Sequence, residues 1–300
     1  MKIGLLDIDG HGYPNYALMK IAHYWKCAGA DVEWATPFEH YDILYRSKIF
    51  TFTPDDLTFY TADKVVEGGT GYDIKSRLPL DIENSALDYS IYPQYKFSVQ
   101  FFSRGCIRKC PFCLVNEKEG GIKSVLPSNL NPNGKHIEVL DNNFFANPNW
   151  REAVAYLNMT KQPVNLHGVD VRIMDKEQAQ ALSTMRLKSN IHIAWDNPNI
   201  EMRGQLEKIL QWIPAHKITC YVLIGFNSTM EQDLMRLYTL KSLGILPFVQ
   251  PYRDYENKRK PTAYEKDLAR WANRAWLFKS IDFHQFYPRK NFCCKKYFEK

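Results

Sequence analysis

Residues Phe97–Gly121 read FSVQFFSRGCIRKCPFCLVNEKEGG. The segment begins as an apolar strand and runs directly into Cys106, Cys110 and Cys113, spaced C-x3-C-x2-C with no fourth cysteine nearby. Thiolates bind iron–sulfur clusters or zinc, and closed structural sites take four protein ligands. Three thiols on one loop would leave one metal position open, which is where a small molecule enters.

Downstream of the loop, strands and helices alternate. HIEVL, QPVNLHG, NIHIAW, KITCYVLIG and ILPFVQ read as strands. Between them, Asn149 with Glu152 gives a helix-start signature, Asp175 opens KEQAQALSTMRL, and Ser228 with Glu231 forms a capping box before MEQDLMRLYTLKSLG. EMRGQLEKILQWI supplies a further helix. Such strand–helix units predict an α/β fold with a parallel sheet, curling over 96–250 into a partial (β/α)6 TIM-like barrel. The cysteine loop then follows the first barrel strand, at the end where barrel enzymes carry their chemistry.

Upstream, KIGLLDI, DVEWAT, YDILYRSKIF and ADKVV read as strands, and YPNYALMKIAHYWKCAG as a helix ending at Gly29. Residues 1–95 therefore predict a short, doubly wound, truncated Rossmann-like unit. RLPLDIENSALDYSIYPQY reads as its linker to the second series. Residues 251–300 form a basic, aromatic extension, with one helix expected over AYEKDLARWANRAWLFKS.

Apolar residues make up 45% and charged residues 24%, an ordinary balance for a soluble chain. No apolar run approaches the ~18 residues of a membrane span. MKIGLLDIDGHG carries Asp7 and Asp9 and reads as a strand with its exit rather than a signal peptide. The expectation is a cytoplasmic protein without membrane contact. Seven cysteines, an odd number, favour thiolate chemistry in a reducing compartment over a disulfide framework. Residues 1–97 hold 9 basic and 14 acidic side chains, whereas 251–300 hold 13 and 6, so an acidic beginning precedes a basic end.

The triplet with Phe112 just before its last cysteine resembles the radical S-adenosylmethionine (radical SAM) superfamily signature C-x3-C-x-Φ-C, Φ being aromatic. FFSRGC and PFCLV, behind a short α/β unit, are similar to the branch of methylthiotransferases and of enzymes with an N-terminal cobalamin-binding-like domain. The resemblance covers essentially the whole chain. It implies a 4Fe–4S cluster on Cys106, Cys110 and Cys113, with S-adenosylmethionine on the open iron and Phe112 near the adenine. Such an enzyme reductively cleaves the cofactor to a 5′-deoxyadenosyl radical that abstracts hydrogen from a substrate. A flavodoxin or ferredoxin is the implied reductant.

By position after the strands, Asp141 and Asn142 stand where the family carries a Gly-Gly-Glu-like segment for the methionine amino group; this chain departs from that pattern. Asp170 and Arg172 match positions near the ribose and carboxylate of the cofactor, and Gly225 a position beside the adenine. For Asp170 and Arg172 a plain salt bridge is the competing account. No substrate acid or base is identified.

DIDGHGYPN resembles the D-x-H-x-x-G motif of cobalamin proteins through Asp9 and His11, but Pro14 stands where glycine belongs. EGGTGYD resembles the glycine pair beside the cobalamin tail. The broken motif and the short unit lead us to expect no cobalamin. Three rival readings stay open: zinc completed by His136 or His167, a cobalamin-dependent methyltransferase, and a non-enzymatic metal protein that binds nucleic acid. Lys258, Arg259 and Lys260, among twelve aromatic residues in 251–300, make nucleic acid one candidate substrate. The plainer account is that Trp271 and Trp276 close the open side of the barrel. Cys27, Cys220, Cys293 and Cys294 read as incidental or core residues.

Overall fold

The computed structural model describes residues 1–255 and 257–299. The chain opens with β1 (Lys2–Asp7), α1 (Tyr16–Cys27), β2 (Asp31–Trp34), β3 (His40–Ser47) and β4 (Thr61–Gly68). These strands form one parallel sheet in the order β2-β1-β3-β4. Ile3 and Leu5 of β1 and Leu18, Met19 and Ala22 of α1 are wholly buried together. Asn15 starts α1 by accepting from Leu18 N at 3.2 Å while its amide donates to Ser47 at 2.9 Å, which ties the helix start to the end of β3.

The winding differs from the expectation. Among the described residues, α1 is the only helix between these strands, and irregular segments make the β2–β3 and β3–β4 crossings. Helices therefore do not cover both faces, as double winding requires. The stretches 35–39 and 48–60 are too short or too rich in turn residues to form a helix as well as return to the sheet's start.

Next come α2 (Leu80–Glu83), β5 (Ser98–Gln100), β6 (Ser103–Arg104), α3 (Val115–Glu119), β7 (Lys123–Ser124) and β8 (Ile137–Val139). The second series continues through α4 (Trp150–Thr160), β9 (Val164–Leu166), α5 (Lys176–Thr184), β10 (Ile191–Ala194), α6 (Arg203–Ile209), β11 (Ile218–Ile224), α7 (Met230–Ser242) and β12 (Leu246–Pro251). The expected strands thus form two parallel sheets, β5-β8-β9 and β10-β11-β12. A parallel bridge between Val169 and Ile193 runs between them. Strand neighbours follow chain order, as successive crossovers dictate.

Two helix starts need correction. The α7 capping box is Thr229 with Gln232, one residue beyond Ser228 and Glu231; Ser228 instead accepts from Gly225 N at 3.3 Å. Asn149 occupies the N-cap of α4 but its side chain makes no capping bond. Asp175 does open α5 as expected, and with Gln178 it forms a full capping box.

The C-terminal segment breaks into α8 (Ala263–Ala272) and α9 (Ala275–Ser280), where a single helix was expected. Asn273 stops α8 because its side chain is used elsewhere: it accepts from Val249 N at 2.6 Å and donates to Val249 O at 3.0 Å, completing the edge of β12. Trp271, Phe278 and Phe283 are buried in the same core as β8–β12, while Trp276 is 68% exposed. Trp271 thus serves the core, and Trp276 does not. No helix among the described residues is long and apolar enough to cross a membrane.

Candidate active site at the strand ends

The cysteine loop leaves β5 and is closed at its base. β6 and β7 pair antiparallel, Ser103 with Ser124 and Arg104 with Lys123. Gly105 has φ +80°, and a side chain there would collide with Gly121 O and Gly120 O. Only glycine allows the two ends of the loop to meet this closely. Glu119, at the end of α3, holds the closure: it pairs with Arg104, accepts from Gly105 N at 2.7 Å and from Asn142 at 3.0 Å. Cys113 N donates to Cys110 O at 3.0 Å, and Asn116 donates to Arg108 O, which shapes the tip.

Asp141, buried at the end of β8, has both oxygens engaged by the root of the loop. One of its oxygens accepts from Phe102 N at 2.8 Å and the other from the Ser103 hydroxyl, so the carboxylate fixes the root of the loop. Burial pushes its pKa up to about 6, against these bonds. Asn142 is exposed and meets the loop through Glu119. The next residue, Asn143, is 1% exposed; its Oδ1 is buried and has no donor among the described residues.

Asp170 lies between two guanidinium groups. It accepts from Arg108 Nε of the cysteine loop at 2.8 Å, and from Arg172 Nε and Nη2 at 2.7 and 3.0 Å. Burial acts to raise its pKa, but the two arginines outweigh it and hold the carboxylate below its ordinary value. The salt bridge anticipated for Asp170 and Arg172 is therefore present, with a third member that sequence reading missed. Neither bond from Arg172 uses Nη1. Burial raises the Cys110 thiol; the Arg172 charge opposes this, and Cys113 and Cys106 reinforce it. The three thiols and Arg172 thus act on one another electrostatically.

Phe112 sits edge-on to Phe226, ring centroids 5.5 Å apart, and Phe226 packs on Tyr252 at 4.9 Å. The motif aromatic therefore rests at the end of β11, next to Gly225. At Gly225, φ is +75°, and a side chain would strike the Glu265–Arg259 ion pair, whose N···O distance is 2.6 Å. That pair occupies the space beside Gly225, and it also engages the middle of the basic run Lys258–Lys260. Behind these strand ends, Arg236 is wholly buried. It donates to Trp195 O at 2.7 Å and Leu223 O at 3.0 Å, and pairs with Asp233 at 2.6 Å, locking β10 to β11.

A second polar group lies on the sheet face opposite Ile137 and Val139. Glu138 accepts from Asn165 at 2.9 Å and lies 2.7 and 2.6 Å from His136 Nε2 and His167 Nε2. Both histidines proposed as a fourth zinc ligand are thus engaged with a carboxylate. Among the described residues no group of three or more His, Cys, Asp or Glu converges on one metal position.

Burial would raise Glu138, but bonds from His167, Asn165 and His136 outweigh it and lower its pKa from 4.5 to about 2. A depressed carboxylate contributes stability that is complete above its unfolded pKa and is lost as the pH falls toward the folded value. The contribution is ~3 kcal/mol. In urea unfolding, the stability gap between the native chain and Glu138→Gln should be widest near about pH 6 and should narrow as the pH falls below about 4.5. A constant gap would assign Glu138 no ionised role.

The cobalamin-like residues are occupied structurally. Asp9 accepts from Ile49 N at 2.5 Å and Thr53 Oγ1 at 2.6 Å, and His11 packs on Trp34 at 4.1 Å. A side chain at Gly69 would meet the Lys48 backbone. Cys220 and Cys294 are wholly buried; Cys293 donates to His284 O at 2.9 Å. No family model matches the chain, and no curated protein matches its sequence.

Proposed function

We propose that the chain is a radical SAM enzyme, with its two parallel sheets forming one open partial barrel and the cysteine loop set over the strand ends. One observation carries the reading. Residues from three segments meet the loop: Arg108 reaches Asp170 beyond β9, Glu119 reaches Asn142 beyond β8, and Phe112 reaches Phe226 beyond β11. Barrel enzymes assemble their chemistry at this end.

The donor set fits a 4Fe–4S cluster better than a single zinc ion. A closed zinc site takes four protein ligands, and the loop carries three thiols. A cluster takes each thiolate on its own iron, which suits thiols spread along one loop. Cys106, Cys110 and Cys113 would hold it, and when bound it supplies the electron for cleavage of S-adenosylmethionine. The chain's own groups then bind and orient. Arg172, with Nη1 uncommitted, suits a methionine carboxylate, and Asp170 keeps its guanidinium in place. Asn143 Oδ1 is an acceptor suited to an ammonium group. Phe112 and Phe226 offer apolar faces to a planar base. A flavodoxin or ferredoxin would deliver the electron.

The test is turnover. Anaerobically reconstituted protein with dithionite should release 5′-deoxyadenosine from S-adenosylmethionine, detected chromatographically. Absence of cleavage in iron-loaded protein would favour the non-enzymatic metal protein.

A further inference from the structure

A groove of about 950 Å³ separates the N-terminal unit from the outer wall of the cysteine loop. Tyr16 and Lys20 of α1, Arg77, Leu80 and Glu83 of the following segment, and Phe101, Arg104, Lys118 and Lys123 of the loop wall are among its lining residues. Its lining carries five cations, Lys20, Arg77, Arg104, Lys118 and Lys123, against two carboxylates, Glu83 and Glu119.

The carboxylates are already taken. Glu83 pairs with Lys20 at 3.2 Å, and Glu119 pairs with Arg104. Arg77 donates to the carbonyls of Ile74, Ser76 and Lys118, and Lys118 donates to Ser76 O at 2.8 Å. These are neutral acceptors. Three cations, Arg77, Lys118 and Lys123, therefore share the groove with no carboxylate in ion-pair range among the described residues. Burial first, and then the Arg77 charge, lower the Lys118 pKa, while Asp73 and Glu119 partly offset them. An anion in the groove would relieve this repulsion.

The rest of the lining narrows the chemistry. Tyr16 and Phe101 meet edge-to-face at 5.1 Å, and the Arg104 guanidinium lies 4.1 Å over the Phe101 ring. Leu126, 92% exposed, and Leu80, 73% exposed, stand at the rim. Aromatic and guanidinium planes stack on nucleobases, and cations take their phosphates. The volume lies within the range of sites that enclose a small organic ligand.

We propose that this groove binds a nucleoside phosphate ester, with phosphate on Arg77, Lys118 and Lys123 and the base on the Phe101–Tyr16–Arg104 surface. The proposal rests on the groove alone and stands or falls independently of the radical SAM reading. Such a ligand arrives either as a free nucleotide or as a phosphodiester segment of RNA.

The experiment uses fluorescence anisotropy on the full chain, with a labelled single-stranded RNA of about twelve nucleotides and with labelled ATP. Binding is expected at low salt, with affinity for RNA falling with salt at a log–log slope of about −2 for three cations. Lys123→Glu and Lys118→Gln should each weaken binding by about tenfold or more and flatten the slope, whereas Lys258→Gln with Lys260→Gln should leave it unchanged. Tight RNA binding that ATP fails to displace identifies the phosphodiester, and one ATP per chain without RNA binding identifies the free nucleotide. No binding of either probe at low salt would overturn the proposal. So would groove variants that bind as well as the native chain, or polyglutamate that binds as tightly as the RNA.

Discussion

Replacement of Cys110 by serine should abolish iron uptake. Reconstituted native protein should hold about four irons and four sulfides per chain, and Cys110→Ser, Cys106→Ser and Cys113→Ser should each retain less than about a tenth of that. The reason is the donor set: with only three thiols on the loop, loss of any one leaves two, and a serine hydroxyl is a far harder and less acidic ligand. The fold should survive. The loop is held at its base by the β6–β7 pair and by Glu119, none of which involves a thiol, and Cys110 itself is only half-buried. Unchanged far-ultraviolet circular dichroism would separate ligand loss from unfolding. Cys27→Ser and Cys293→Ser should take up iron normally, since neither lies on the loop. Stoichiometric zinc with no iron in the native protein would return the triplet to a mononuclear site and remove the radical reading.

The strands of the second series and their parallel pairing were legible because strand-length segments rich in β-branched and apolar residues alternate with helix-length segments, as where Asp175 opens α5. The failures have local physical causes. Helix α8 stops at Asn273 because that amide completes β12, a long-range contact with no trace in local periodicity. Ser228 and Thr229 both have a partner three residues on, Glu231 and Gln232, so spacing alone could not choose between them. At the site, the cysteines announced themselves by spacing. Asp141 did not reveal its role, because a carboxylate after a strand reads the same whether it meets a ligand or the backbone of Phe102. Gly225 reads as a close approach in either account; the sequence could not show that Glu265 and Arg259, more than thirty residues on, take the space. Arg108 was open to inspection inside the motif, yet its partner Asp170 is 62 residues away.

That Arg108–Asp170–Arg172 group sets the second large effect. Asp170→Ala should destabilise the chain by about 2–3 kcal/mol, and should release the cysteine loop. Removing one member of a buried charge group costs about 3–5 kcal/mol, because its partners are left unpaired. Here the arginine side chains are 33% and 26% exposed, so water screens part of the repulsion and the lower figure applies. Two cations would then repel each other beside thiols that must ionise to bind metal. Urea unfolding measures the stability. Limited trypsin digestion measures the loop, since Arg108 and Lys109 are cleavage sites and cleavage there should speed up when the tether is lost. Adding Arg108→Ala to Asp170→Ala should recover part of the lost stability by removing one unpaired charge, while leaving the loop as cleavable at Lys109 as in the single variant. A change of less than about 0.5 kcal/mol, the range of ordinary surface substitutions, together with a loop that stays resistant, would show that Asp170 does not tether the cysteines to β9.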